Sequence, residues 1–447
     1  MGFRRLMAVS AAIVIVAAAC GNDDDDGDAG AEAPAEEEGD GEQAGEELTG
    51  SVNVLNAMEP EESDFVQGVV DETIGSEVGY SVEMEAAGNF EEDFQIRAQG
   101  GTLDVALLPQ PGAVADAVDD GAVSLEEMGF DIAELEEMFG ETLLELVEVD
   151  GQHFGLPSNI NLKSMIWYPK DDFDAAGYEV PESWDDLIAL SDQIVEDGGT
   201  PWCVGFESEG STGWPATDWV EDIMLRTAGP DTYDQWVNHE IPFNDEAVQT
   251  AVETFGDVMF TEGYVLGGAD QTPSINFGDA PSPMFEDEPG CFLHRQANFI
   301  QAQPGWDPDA EVGVDVDWFP FPPIDQEGIL FAGEFMVAFR NDPEVVDFME
   351  RFVSEDVQCE QGGNVAGSRI SPNINVGADC YANDVLADSS EVLTTALEED
   401  TGRFDASDLM PAEVGSGTFW SEMMTYVSEG PDSVTQVLDN IEQSWPE

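Results

Sequence analysis

Basic side chains are scarce in this chain. Its 447 residues include 98 acidic and 11 basic ones, a formal charge of −87 at pH 7. Lys163 and Lys170 are the two lysines. With no basic stripe to displace counterions, nucleic-acid binding is excluded, and an anionic ligand would need local compensation. Histidine is also rare: His153, His239 and His294 are scattered, and no Cys-x-x-Cys occurs, so neither a zinc site nor any other metal or cofactor is expected. The Gly-x-Ser-x-Gly elbow, His-Glu-x-x-His and phosphate loop are absent too, and no catalytic residue is assigned. Paired carboxylates could build a glycosidase. With 98 acids, however, some pair always falls near a cleft, so pairing carries little information. A repeat of solenoid period is also missing, which disfavours an adhesive or structural array.

Long apolar runs are confined to the start. Met1-Gly2-Phe3-Arg4-Arg5 is a short basic head, Leu6–Ala19 is apolar, and Ala17-Ala18-Ala19 precedes Cys20. The run is short for a membrane span and matches a secretory signal with a small-residue cleavage site. We expect residues 1–19 to be a lipoprotein signal peptide and Cys20 to be the lipidated residue. Residues 20–49 then form an acidic tether, with thirteen acids between Gly21 and Glu47 and no aromatic or β-branched residue there. Such a segment cannot bury enough apolar surface to offset its ordering entropy, and its like charges extend it. Asp23 to Asp26 lack the glycine-turned loop and closing glutamate of a calcium site. The expected location is outside the cell, anchored by lipid to the outer face of the cytoplasmic membrane.

Most of the acids remain in the folded part. Their self-repulsion opposes a compact state at low ionic strength, and salt relieves it, with a Debye length of roughly 3 Å at 1 M. The composition is that of a salt-adapted, halophilic protein. Beyond Cys20 there are four cysteines, Cys203, Cys291, Cys359 and Cys380. An even number in an exported chain suggests disulfides, with three pairings open. Cys359–Cys380 closes the short loop and leaves Cys203–Cys291.

From Ser51 the hydrophobic period switches repeatedly. Val52 and Val54 alternate, while Phe65, Val69 and Val70 follow at helical spacing after Glu59-Pro60-Glu61-Glu62. Tyr80, Val82 and Met84 alternate again, and Phe90, Phe94 and Ala98 share a helical face. Leu103 to Leu108 suits a buried strand. This alternation predicts an α/β fold with a doubly wound parallel sheet. Ligands in such sheets sit beyond the carboxyl ends of the strands, which points to Glu61 and Gln110. A second alternating region begins near Ser164 to Tyr168, with a helix around Trp184 to Ile188. The folded part is long enough for two such units.

Several stretches together resemble a known family. They are Gly155-Leu156-Pro157-Ser158-Asn159-Ile160-Asn161-Leu162-Lys163-Ser164, Trp167-Tyr168-Pro169-Lys170, Val180 to Leu187, Pro201-Trp202-Cys203, Gly213 to Asp222, Gly290 to Ala297, and Gly417-Thr418-Phe419-Trp420. Their order and spacing resemble extracellular solute-binding protein family 1, the substrate-binding lipoproteins of carbohydrate ABC importers, and most closely its alpha-glucoside-binding branch. The resemblance implies a two-lobed periplasmic-binding-protein-like fold (type II) with a ligand cleft between the lobes. Lobe 1 would comprise residues 51–158 plus 333–366, and lobe 2 residues 159–332 plus 367–447. The chain would cross between them near Asn159, Gly328 to Gly333, and Gly367 to Arg369. The implied partners are a neutral sugar, ABC permease subunits with an ATPase, and the membrane through the lipid anchor, with the protein itself a monomer. The disulfides Cys203–Cys291 and Cys359–Cys380 rest on this analogy and on loop length.

A pyranose offers apolar C–H faces and a belt of hydroxyls, so its site needs aromatic rings beside amides, carboxylates or guanidinium. By that chemistry the candidates are Trp214, Asp218 and Trp219 in the Gly/Pro/Thr-rich segment, and Trp420 at the family's aromatic pair. Arg369 and His294 add donors, the resemblance implies that Gly333 and Glu334 bring backbone and carboxylate to the cleft, and Asn159 and Asn161 alternate after Pro157. The expected function is capture of an alpha-glucoside for import. The alternatives are a secreted glycoside hydrolase and a receptor for another neutral polyol or compatible solute. Thermal or urea melts should show stability falling as NaCl or KCl is removed, and a flat response would exclude salt adaptation.

Overall fold

A computed structural model describes residues 48–446. The signal peptide 1–19, Cys20 and all but the end of the tether 20–49 lie outside the described residues. Among the described residues no helix is long and apolar enough to cross a membrane.

The first five elements follow the periodicities in the sequence. β1 (Gly50–Asn56), α1 (Pro60–Val70), β2 (Tyr80–Ala86), α2 (Phe90–Gln99) and β3 (Val105–Leu108) alternate along the chain. β1 buries Val52 and Val54 and exposes Ser51 and Asn53, as its alternation requires. Pro60 opens α1, with Glu61 and Glu62 in its first turn, where carboxylates oppose the positive end of the helix dipole. β1 pairs in parallel with β2 on one side and β3 on the other, so these strands form the predicted parallel unit.

Next come β4 (Leu156–Leu162) and β5 (Met165–Pro169), then α3 (Trp184–Glu196), α4 (Trp214–Ala228) and α5 (Glu246–Phe260). The Ser183 hydroxyl caps α3 by accepting from the amide of Asp186. β6 (His294–Arg295), β7 (Val316–Pro320) and β8 (Ile329–Ala338) follow. The chain continues through α6 (Pro343–Phe352) and β9 (Gly402–Phe404) to α7 (Trp420–Glu429).

The main sheet runs β9-β8-β3-β1-β2, and β4 also pairs with β8. Unlike the parallel unit, β8 lies antiparallel to both β3 and β4, so the sheet is mixed. A strand returning from a distant part of the chain leaves no periodicity that fixes its direction. β6, β5 and β7 make a second, three-stranded antiparallel sheet.

The fold is two-lobed, and the buried residues show how. One core gathers Val52, Val66, Met336 and Phe348. Another gathers Trp219, Phe255, Leu293 and Tyr426. A third, with Ile160, Trp167, Phe335 and Leu386, lies on the other face of the main sheet from the first, because Phe335 and Val337 of β8 enter it while Met336 and Ala338 enter the first. β4 and β8 pair along this sheet, and Ile370 bridges to Ile160 of β4. The β4–β8 register slips at Glu334/Phe335, where Asn159 faces Glu334 and Pro157 faces Phe335. The Ser158 hydroxyl donates to the Glu334 carbonyl at that bulge.

Both disulfides are formed, Cys203–Cys291 across 88 residues and Cys359–Cys380 across 21. In the chain-entropy model the longer loop stabilises more, by roughly 1 kcal/mol. Denaturant titrations of the two double Cys→Ser variants should therefore show the larger loss for Cys203/Cys291. Equal losses would mean that the unfolded chain is not what that bridge restrains.

Candidate functional site

A cleft of about 990 Å³, including its opening to solvent, lies between the strand ends of the main sheet and the second lobe. Met58, Glu59 and Glu62 enter from the start of α1, and Pro109 and Gln110 from the end of β3. Asn159 and Asn161 of β4, Gly333 and Glu334 of β8, and Lys163 form its floor. The opposite wall carries Trp214, Phe277, Phe299 and Trp420, with Asp405 and Asp408 beside them.

The aromatic wall is held by packing and hydrogen bonds. Trp214 meets Phe277 and Phe299 edge-on, at centroid distances of 4.9 and 6.0 Å. Gly213 begins α4 at φ +117°, and a Cβ there would collide with the Trp420 backbone, so only glycine lets α4 and α7 approach this closely. The Trp420 indole N–H donates to Ser407 Oγ at 3.1 Å, which fixes the ring plane. The π-helical turn Glu413–Phe419 leads directly into that tryptophan.

The amide wall is oriented from behind. Asn159 Oδ1 accepts from the Ile370 amide at 3.1 Å, and Asn161 Oδ1 accepts from Asn298 Nδ2 at 3.3 Å. The Nδ2 of each has no protein partner among the described residues. Gln110 Nε2 and Ser211 Oγ both donate to the Glu91 carboxylate, at 3.3 and 3.0 Å.

Behind the floor lies a buried ionic ladder. Lys163 Nζ donates to both oxygens of Asp218 at 3.0 Å and to Asp405 at 3.2 Å, and it sits 4.5 Å over the Trp214 ring. Arg295 donates to Asp218 and Asp222 at 2.9 and 2.7 Å. Arg226 pairs with Asp222 and donates to the carbonyls of Gly328 and Phe321. Asp218, Asp222 and Arg226 fall four residues apart on α4 and share a face. Burial pushes the Asp218 carboxyl up to about 7 against the pull of Lys163, with Asp405 adding to the rise. Burial and neighbouring Asp405 push Glu221 well up. Burial works the same way on Asp405, but Lys163 and the hydrogen bonds around it hold that carboxyl well below the usual range.

Arg369 makes the second ionic cluster. It donates to Glu62 at 3.0 Å, to Glu334 at 2.6 Å and to Gln361 at 3.0 Å. Burial, opposed by Arg369 and aided by Glu334, pushes Glu62 up to about 7.

Seven of the sequence candidates meet on this cleft: Gln110, Asn159, Asn161, Trp214, Gly333, Glu334 and Trp420. Five do not line it. Glu61 is exposed and faces a separate groove, because Glu62, one helical step on, takes the inward direction. Asp218 is fully buried beneath Lys163. Trp219 packs in the core against Trp202 at 5.0 Å, since five residues along α4 carry it away from the face of Trp214. His294 is buried with Nδ1 at 3.0 Å from the Cys203 carbonyl, and burial pushes its pKa down to about 4. Arg369 is consumed by its two carboxylates. Sequence reasoning missed Glu62, Lys163, Phe277, Phe299 and Asp408. Lys163 carried a signal in being one of two lysines; the two phenylalanines carried none.

Comparisons with known proteins agree with this architecture. The model of the bacterial extracellular solute-binding protein family matches residues 59–358. The osmoprotective compounds-binding protein GgtB of Synechocystis sp. is 40% identical over 410 residues, covering 90% of this chain and 94% of that protein. The alpha-glucosides-binding periplasmic protein AglE of Rhizobium meliloti is 37% identical over 392 residues, covering 84% and 81%. Among solved structures, the solute receptor AcbH superposes with TM-score 0.73 at 16% identity, over 88% of this chain and 98% of its own. Maltose-bound MalE3 of T. maritima gives 0.68 at 15% identity, over 88% and 98%. At these identities the two structures speak to the fold.

The ladder generates a prediction. Lys163→Met should cost about 3–5 kcal/mol in urea unfolding, because the buried carboxylates Asp218 and Asp405 lose their shared cation. A loss under about 1 kcal/mol would mean that the carboxylates take up protons instead.

Proposed function

Because the chain belongs to the bacterial extracellular solute-binding proteins, we propose that it captures a neutral oligosaccharide, an alpha-glucoside, and hands it to the permease subunits of an ABC importer powered by an ATPase. It acts by binding and release, without turnover. The observation that carries the reading is the composition of the cleft: indole and phenyl rings on one wall, and amides and carboxylates opposite. Every basic side chain among the described residues is already engaged by a carboxylate. Such a cavity suits the C–H faces and hydroxyls of a sugar and penalises an anion. The relative that binds alpha-glucosides, AglE, supports the choice of sugar.

In this reading lobe 1 is 51–158 plus 333–366, lobe 2 is 159–332 plus 367–447, and the lobes move about the strands between them. Ligand stacks on Trp214 and Trp420 from lobe 2. It gains hydrogen bonds from Gln110 and Glu62 of lobe 1 on closing, with Asn159, Asn161, Gly333 and Glu334 near the hinge. That difference in affinity shifts the population toward the closed form. The monomer is held to the membrane by lipid at Cys20. A second reading, a glycosylated compatible solute, is favoured by the 40% identity to GgtB and by the saline character of the composition.

Thermal shifts of the protein in molar salt, against maltose, trehalose, sucrose and a glucosylated polyol, test both readings. A ligand at 100 times its Kd should add about 2.7 kcal/mol to stability. A shift with none of them would remove the sugar assignment. Trp420→Ala should weaken the best ligand tenfold or more, about 1.4 kcal/mol, while melting stays cooperative. Unchanged affinity would take Trp420 out of the site.

A further inference from the structure

Two crevices flank the ligand cleft where its walls meet, and both are acidic on both sides. In the first, Glu59 beside α1 and the turn before α2 face Glu209 and Asp279. In the second, Glu91, Asp116 and Asp120 face Glu413. Neither crevice is lined by a lysine, arginine or histidine. The walls nevertheless touch. Ser211 Oγ donates to Glu91 at 3.0 Å. The Glu209 carboxylate occupies the space that a Cβ on Gly88 would need, and Gly112 lies against the carbonyls of Leu409 and Met410. Glycine at these places permits backbone-close contact, but the surrounding carboxylates resist it. Burial, together with Glu209 and Glu207, raises the pKa of Glu59; burial, together with Glu413, raises that of Asp116.

We infer that closure of the cleft is set by ionic strength: the carboxylates of the opposing lips repel one another, and dissolved salt, by screening them, moves the protein toward the closed form and tightens ligand binding. The inference rests on the two-lobed capture reading above. It concerns a different quantity from fold stability, because these acids face each other across a gap that opens and closes while each lobe stays folded. Screening acts most strongly on such exposed pairs, whereas the buried ladder behind the floor is shielded from it.

The test uses the full chain with fluorophores on Gln95→Cys and Ser421→Cys, two exposed positions that fall in lobe 1 and lobe 2 of that reading. Energy transfer is read without ligand and with trehalose, from 0.1 to 2 M KCl or NaCl. Transfer should rise with either salt in the absence of ligand. Adding Glu209→Gln and Glu413→Gln, both at exposed positions outside the cleft, should raise it at low salt and flatten the response. Where trehalose binds, its Kd should fall roughly fivefold or more over the range. Salt-independent transfer would overturn the inference, as would an unchanged response in the glutamine variant. So would full closure by millimolar CaCl2 at low ionic strength, which would indicate a bound cation instead of screening. A salt response without any effect of trehalose or the other sugars leaves the inference standing and removes the sugar reading.

Discussion

The buried ladder from Lys163 through Asp218, Arg295 and Asp222 to Arg226 is the constraint on which the rest of the molecule depends. It joins the end of β4, the face of α4, the short β6 and the segment leading into β8. These elements lie far apart in the chain, and α4 supplies three of the partners, Asp218, Asp222 and Arg226. A buried ion pair adds little net stability, because desolvation consumes most of the Coulomb gain. Its value here is register: α4 can seat in one rotation only if Asp218, Asp222 and Arg226 are all to be satisfied. That rotation places Trp214 on the cleft and Trp219 in the core.

The ladder also changes the meaning of the composition. Nine basic residues fall within the described part of the chain, and four of them, Lys163, Arg226, Arg295 and Arg369, are buried. Those four pair with carboxylates that would otherwise be buried alone, and the five cations left nearer the surface, Arg97, Lys170, Arg340, Arg351 and Arg403, each pair with an acid as well. The floor of the cleft is neutralised from behind by Lys163 and Arg369, and its rims are not neutralised at all.

The first α/β unit was legible because its strands and helices alternate locally, so that Val52, Val54, Phe90 and Phe94 reveal their faces without knowledge of the rest. Gln110 was legible for the same reason, since a residue just past a parallel strand has one place to go. Glu61 was not, because the choice between it and Glu62 is a rotation of about 100° on a helix, which composition does not fix. His294 and Arg369 looked available as donors. Their engagement with the Cys203 carbonyl and with Glu62 and Glu334 comes from segments up to several hundred residues away, as does the antiparallel entry of β8. Phe277 and Phe299 sit in short turns fixed by hydrogen bonds to distant residues, Asn276 to Glu207 and Asn298 to Leu162 and Ser368.

The burial of Lys163 has a chemical corollary. Of the two lysines, Lys163 is buried in the cleft floor and held by Asp218 and Asp405, while Lys170 follows β5 and pairs only with Asp174, with 29% of its side chain exposed. Amine-directed reagents therefore meet a single lysine among the described residues, and it is not on the cleft wall. A reporter coupled there would sit on a side chain that is no part of the cleft lining.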